Sequence, residues 1–143
     1  MATARCEELV LVEDNETDEI LSLRGIAKSG VECSVTVRRD GFEALDYLLD
    51  ERLPPPKLIV LDYRLPKMTG LEILTALRQC AKTQLTPVVI LSGTNQGDEL
   101  RECYKLGANS CVAKPIDASE YIARVASITR YWLLVNQPSS HVD

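Results

Sequence analysis

The side chains of this sequence best suited to chemistry are three carboxylates, one hydroxyl and one ammonium, each of which follows a short apolar run. They are Glu13 and Asp14 after residues 9–12, Asp62 after 58–61, Ser92 after 88–91 and Lys114 after 110–113. Three carboxylates brought together repel one another and raise their own pKa values unless a positive group lies among them. A divalent cation such as Mg²⁺ supplies that charge, because it prefers oxygen ligands. The pattern therefore predicts a magnesium site.

A cluster of this kind suits phosphoryl transfer. A cation held by carboxylates, with the Lys114 ammonium and the Ser92 hydroxyl beside it, would attract phosphate and neutralise the charge on its oxygens. Asp62 is the natural acceptor, since a carboxylate can act as the nucleophile and form an aspartyl phosphate. Each residue also has an ordinary explanation, in which Glu13 and Asp14 favour the start of a helix and the others are turn, loop or surface residues. Their joint placement favours the site.

Five short, β-branched apolar runs predict the strands that position these side chains. They are residues 9–12, 34–37, 58–61, 88–91 and 110–113. Segments with helical periodicity lie between the runs, and continuously apolar strands are typical of a parallel sheet with helices on both faces. The sequence thus predicts a doubly wound α/β fold of five strands, with a ligand crevice outside their carboxyl ends. Residues 38–40 after the second strand would lie at the sheet edge, outside the crevice.

Length and composition limit the class of protein. We expect one domain over residues 1–143, with a core at about 8–130 and a helix end and tail at 131–143. The net charge of -5 argues against nucleic acid as a partner, and the one histidine, His141, cannot build a catalytic triad or a zinc site. Five cysteines without a C-x-x-C motif predict free thiols in the cytoplasm. No apolar run reaches the roughly 20 residues of a membrane helix.

Four segments resemble, in the same order, the receiver domain of two-component response regulators. They are Val12-Glu13-Asp14-Asn15, residues 61–70, Leu91-Ser92-Gly93 and Ala113-Lys114-Pro115. The resemblance covers about residues 8–130 and implies a flavodoxin-like fold with strand order 2-1-3-4-5. It also implies that Asp14, Asp62 and the backbone carbonyl of Arg64 bind Mg²⁺ or Mn²⁺, with Glu13 helping through water.

The resemblance further implies how the phosphoryl group is handled. Asp62 would be the phosphoacceptor, Ser92 would move inward to hydrogen-bond the group, and Lys114 would pair with one of its oxygens. A cis bond before Pro115 would orient the lysine. Cys111 departs from the family pattern, which has an aromatic residue three positions before the lysine. The phosphorylated state would then be signalled through the Ser92 loop, the fourth helix or self-association.

The last helix, from about Asp117 to before Pro138, carries two apolar stripes, although one would cover a sheet. The first contains Tyr121, Val125, Ile128, Trp132 and Val135, and the second contains Ile122, Ala126, Thr129 and Leu133. We expect Tyr121, Ile128 and Trp132 to face solvent and the first stripe to form a homodimer interface. The alternative is a helix that bends or ends early, with Trp132 folded back on the body.

The sequence therefore predicts a stand-alone response regulator, not an enzyme with a separate substrate. It would take a phosphoryl group from a histidine kinase and relay its state by protein contact. The segment Tyr131-Trp132-Leu133 resembles the single-domain regulators that partner bacterial phytochrome kinases. Two alternatives stay open. One is a phosphorylation-independent scaffold; the other is an aspartate-nucleophile phosphatase, which normally has a second acid where this sequence has Arg64.

Overall fold

The computed structural model describes residues 7–93 and 97–139, in which strands and helices alternate as the apolar runs predict. The strands are β1 Glu7–Val12, β2 Cys33–Arg38, β3 Leu58–Asp62, β4 Val88–Ser92 and β5 Ser110–Ala113. The helices are α1 Glu16–Lys28, α2 Gly41–Leu48, α3 Gly70–Gln79, α4 Gly97–Lys105 and α5 Ala118–Arg130, followed by a π-helical turn, Tyr131–Val135. β3 and β4 are each one residue longer than their apolar runs, so Asp62 and Ser92 end these strands.

In the described part of the chain, five parallel strands form one sheet in the order β2-β1-β3-β4-β5. This order confirms the doubly wound, flavodoxin-like arrangement, and it places the change of direction between β1 and β3. The register aligns the carboxyl ends, with Asp62 opposite Leu91 and Ser92 opposite Ala113. β2 lies at the edge, so residues 38–40 are outside the crevice, as expected.

The central strands are buried on both faces. All of β3 and β4 and residues 9–12 of β1 are buried, whereas the edge strands β2 and β5 are mostly half-buried. One core lies on the α2 and α3 side of the sheet and the other on the α1 and α5 side. Each buried aliphatic side chain contributes about 1.5–3 kcal/mol, so packing fixes where the strands end. No helix within residues 7–93 and 97–139 is long and apolar enough to span a bilayer.

Both apolar stripes of α5 are used inside the molecule. Tyr121 and Val125 are each 2% exposed and Ile128 is 8% exposed, because this stripe packs with residues of β1 and α1. Trp132 is partly buried against the same cluster. The prediction that Tyr121, Ile128 and Trp132 face solvent is therefore wrong. The physical reason is that α5 covers α1 as well as the sheet, and a single stripe would not serve both.

The contact between α1 and α5 is close because Gly25 faces α5. A Cβ atom at this position would lie 2.7 Å from the Val125 Cβ and 2.7 Å from the carbonyl oxygen of Ile122. Real Cβ atoms do not approach other atoms so closely, so a substituted side chain would force the helices apart. Gly25 is thus required by the packing of α1 on α5.

Candidate functional site

Three carboxyl groups meet at the carboxyl ends of β1 and β3. One oxygen from each of Glu13, Asp14 and Asp62 lies within 4.8 Å of the others. Glu13 and Asp62 are buried, whereas Asp14 is exposed. Asn15 caps α1, because its side chain accepts a hydrogen bond from the Asp18 backbone N–H at 2.9 Å. The ordinary explanation for this acidic segment, a helix start, therefore holds alongside the cluster.

The Lys114 ammonium contacts three carboxylates. It lies 3.0 Å from Asp62 Oδ2, 3.2 Å from Glu13 Oε1 and 2.8 Å from Asp18 Oδ2, and its side chain is 14% exposed. Sequence reasoning missed Asp18. The sequence offered no signal that singles it out, since acids in the first turn of a helix are common. The structure thus adds a fourth carboxylate to the predicted group.

Glu13 has an unusual affinity for its proton. Burial raises the pKa of Glu13 to about 8, and the hydrogen bond and negative charge of Asp62 add to the effect, while Lys114 opposes it. In the metal-free protein, Glu13 therefore keeps its proton near neutral pH, as a buried carboxyl group beside a second one commonly does.

The positive charge of Lys114 is stable. Burial has the largest influence and lowers the pKa of Lys114, but the hydrogen bond to Asp18 and the charges of the other two carboxylates outweigh it. The resulting pKa lies above the ordinary lysine value, so the ammonium stays charged at physiological pH. The cluster therefore contains a fixed cation before any metal binds.

The pKa of Glu13 predicts a pH dependence of stability. The pKa of the unfolded carboxyl group is its ordinary value of 4.5, whereas that of the folded one is about 8. Between these values the unfolded state binds fewer protons, so stability is lost as pH rises. We expect urea midpoints in EDTA to fall less for Glu13→Gln than for wild type between about pH 5 and about pH 8. Glu19→Gln should keep the wild-type slope, and parallel slopes for Glu13→Gln and wild type would contradict the prediction.

The loop after β3 brings its backbone to the cluster. The Arg64 backbone N–H donates to Asp62 Oδ1 at 3.2 Å, which holds one oxygen of that carboxylate. Gly70, at the start of α3, lies against the same strand end, since a Cβ there would be 2.5 Å from the Asp62 carbonyl oxygen. The Arg64 guanidinium pairs with Glu99 on α4 at 3.5 Å. That the Arg64 carbonyl binds a cation stays a prediction.

Ser92 and Lys114 occupy neighbouring strand ends. Ser92 is 5% exposed, and its carbonyl oxygen accepts a hydrogen bond from the Lys114 backbone N–H at 2.7 Å. The described residues contain no cis peptide bond, so the expectation of a cis bond before Pro115 is wrong for this structure. The three ion pairs of Lys114 are made with the ordinary trans isomer.

Cys111 occupies the position where the resemblance implies an aromatic ring. Its backbone N–H donates to the hydroxyl of Tyr104 on α4 at 3.1 Å. Burial raises the pKa of the Cys111 thiol to about 12, and contact with the Cys103 thiol adds to the effect. Cys111 therefore stays protonated and packs as a small apolar group between β5 and α4.

The cluster fits a hard divalent cation. Its donors are carboxylate oxygens, which are the ligands that Mg²⁺ and Mn²⁺ prefer. Two of the carboxyl groups are buried, where negative charge is poorly solvated, so a cation beside them would stabilise their charged forms. Asp14 is exposed, so a partly hydrated ion has access from solvent. Glu13, Asp14 and Asp62 are thus the residues that would hold the metal.

Replacement of Asp14 tests the metal site. Asp14→Asn removes one ligand charge while keeping the side-chain shape, and we expect the affinity for Mg²⁺ to fall by about tenfold or more. Isothermal titration calorimetry of the metal-free protein measures this affinity. Glu16→Gln removes an exposed acid from the same segment and should bind Mg²⁺ as wild type does. Unchanged affinity in Asp14→Asn would show that the ion does not bind there.

Comparison with known proteins agrees with this geometry. The family described as response regulator receiver domain matches residues 9–126. The chain belongs to the response regulator receiver family. This receiver is 30% identical over 129 residues to Response regulator Rcp1 of Synechocystis sp., covering 87% of this chain and 88% of that protein.

Two solved structures resemble this receiver over nearly its whole length. The phosphorylated cyanobacterial phytochrome response regulator RcpA is 33% identical, with a TM-score of 0.89 over 95% of this chain and 100% of that chain. The Mn²⁺-bound form of response regulator Rcp1 is 28% identical, with a TM-score of 0.86 over 94% of this chain and 99% of that chain. These likenesses confirm the receiver fold, and both relatives are named as regulators.

Proposed function

We propose that this receiver accepts a phosphoryl group on Asp62 from the phosphohistidine of a histidine kinase, in a reaction that requires Mg²⁺ or Mn²⁺. The observation that carries the proposal is the 3.0 Å contact between Lys114 and Asp62 within a cluster of carboxylates. A nucleophilic carboxylate, a cation site and a fixed ammonium are what transfer to an aspartate requires. The phosphorylated RcpA and the Mn²⁺-bound Rcp1 support the same chemistry.

In the proposed reaction an oxygen of Asp62 attacks phosphorus while the P–N bond to the kinase imidazole breaks. The imidazole leaves with the electron pair of that bond. Bound Mg²⁺, held by Asp14, Asp62 and Glu13, would supply positive charge to the phosphoryl oxygens. Lys114, which lies 3.0 Å from Asp62 Oδ2, would donate to one of those oxygens, and the Ser92 hydroxyl would donate to another.

The donor in this proposal is a phytochrome histidine kinase, because RcpA is described as a phytochrome response regulator and is 33% identical to this chain. The one histidine of the chain, His141, lies outside the described residues and cannot be assigned to the cluster. The phosphorylated state would be relayed by contact with another protein in the cytoplasm, whose reducing conditions suit free thiols such as Cys80 and Cys103. The protein would thus be a switch and not an enzyme with a separate substrate.

The proposed function is tested by labelling the wild-type protein with a small phosphoryl donor. Acetyl phosphate with Mg²⁺ should add one phosphoryl group, detected by intact mass, which is stable in acid and lost in base. EDTA should prevent the labelling. The proposal would fail if no adduct formed, or if EDTA left its yield unchanged.

Self-association through the last helix stays a prediction, but the residues that could form the interface are not the predicted ones. Tyr131, Leu134 and Val135 of the π-helical turn are exposed apolar side chains, whereas Tyr121 is buried. We expect a Leu134→Ser, Val135→Ser double variant to elute later than wild type in size-exclusion chromatography. Tyr121→Ala would perturb packing and is not a test of this interface. Identical elution of the double variant and wild type would argue against the dimer.

A further inference from the structure

Lys114 has one partner that does not belong to the metal cluster. An ammonium has three N–H donors, and Lys114 directs them at three carboxylates. Glu13 and Asp62 are among the carboxylates placed to hold a cation, whereas Asp18 is not. The contact to Asp18 is also the shortest of the three, at 2.8 Å. Asp18 is therefore the partner whose charge remains available when a metal binds.

The entry of a divalent cation changes the forces on Lys114. The charge of the cation offsets the negative charge of the carboxylates that hold it, and the cation also repels the ammonium. A lysine side chain has a flexible four-carbon stem, so a weakly held ammonium turns to solvent. The site would lose Lys114 at the moment when a phosphoryl group needs it, unless another carboxylate retained it.

We infer that Asp18 is a positioning residue that keeps the Lys114 ammonium in the site once the divalent cation is bound. The inference rests on the proposed function, because it assigns Asp18 a task in phosphoryl transfer. Asp18 suits the task because its backbone is fixed in the first turn of α1 by the Asn15 cap and its side chain is 25% exposed. The Lys114 backbone is held equally firmly by its bond to the Ser92 carbonyl oxygen.

The first test observes the Lys114 ammonium directly. Its ¹⁵N signal in NMR, assigned with Lys114→Gln, is visible only while ion pairs protect it from exchange with water. We expect the signal in metal-free wild type and metal-free Asp18→Asn, and its loss in Asp18→Asn alone when Mg²⁺ is added. Glu19→Gln is the matched control, since Glu19 lies in the same turn but pairs with Arg39 at 2.7 Å. Persistence of the signal in Mg²⁺-loaded Asp18→Asn, or its absence from Mg²⁺-loaded wild type, would overturn the inference.

The second test measures the rate of labelling by acetyl phosphate. We expect Asp18→Asn to be slower than wild type and Glu19→Gln by about tenfold. Adding Asp18→Asn to Lys114→Gln should cause no further loss, because the lysine through which Asp18 acts is absent. The positioning role would be contradicted if Asp18→Asn lowered the labelling rate equally in wild type and in Lys114→Gln, or lowered it in neither. If wild type itself is not labelled, the proposed function fails, and the NMR result still decides whether Asp18 retains the lysine.

Discussion

Asp62→Asn is expected to yield no detectable phosphoryl adduct under conditions that label wild type completely. The substitution removes the nucleophilic carboxylate and supplies an amide, which does not attack phosphorus. Asparagine has the same shape, and its oxygen can still accept the Arg64 N–H bond that Asp62 Oδ1 accepts at 3.2 Å. The loss is therefore chemical and does not reflect a displaced loop. Intact mass spectrometry after incubation with acetyl phosphate and Mg²⁺ measures it.

The stability of the variant provides the internal check. Asp62 is one of the causes that raise the pKa of Glu13, so its neutralisation relieves repulsion between two buried carboxyl groups. Metal-free Asp62→Asn should accordingly remain folded at neutral pH. Asp98→Asn, which alters an exposed aspartate on α4, should be labelled as wild type is. Labelling of Asp62→Asn at the wild-type yield would refute Asp62 as the acceptor.

Lys114→Ala is expected to have the largest effect on stability, together with a severe loss of phosphorylation. Its removal leaves the buried Glu13 and Asp62 without their cation, and breaking a buried ion pair costs about 3–5 kcal/mol. The cost should be larger above about pH 8, where Glu13 has lost its proton and Lys114 offsets its charge. Mg²⁺ should restore part of the stability by supplying positive charge, but not the hydrogen bond to the phosphoryl group.

Thermal unfolding in EDTA and in Mg²⁺ separates these contributions. Lys82→Ala is a suitable control, because Lys82 donates to the Asp50 carbonyl oxygen at 2.6 Å and has no contact with the cluster. We expect its unfolding temperature to change equally in both solutions. For Lys114→Ala, a deficit as large in Mg²⁺ as in EDTA would mean that no cation enters the cluster.

The fold was predictable from sequence because its strongest signals are local. Continuous apolar runs specify central strands, and β3 and β4 are buried along their whole length. Because parallel strands end at the same edge of the sheet, the residues after the runs could be assigned to one site without coordinates. Thr69 shows the same principle at a helix start, since its side chain and that of Glu72 form a capping box.

What sequence reasoning missed depends on contacts between distant segments. Acids in the first turn of a helix are common because they favour its dipole, so Asp18 could not be told from Glu16 and Glu19 until Lys114 was placed beside it. The prediction that Tyr121 faces solvent was wrong for a similar reason. One helix read alone does not reveal that a second helix, α1, covers its other stripe.

The helices on the two faces of the sheet are packed to different degrees. On one face, α1 and α5 approach closely at Gly25. The two helices touch at this position with no side chain of α1 between them, because a Cβ atom there would already collide with α5. On the other face, α4 is held by fewer buried side chains, since Cys103 is its one buried residue. We therefore expect a change in shape at the cluster to move α4 more readily than α1, on which Asp18 stays where Lys114 needs it.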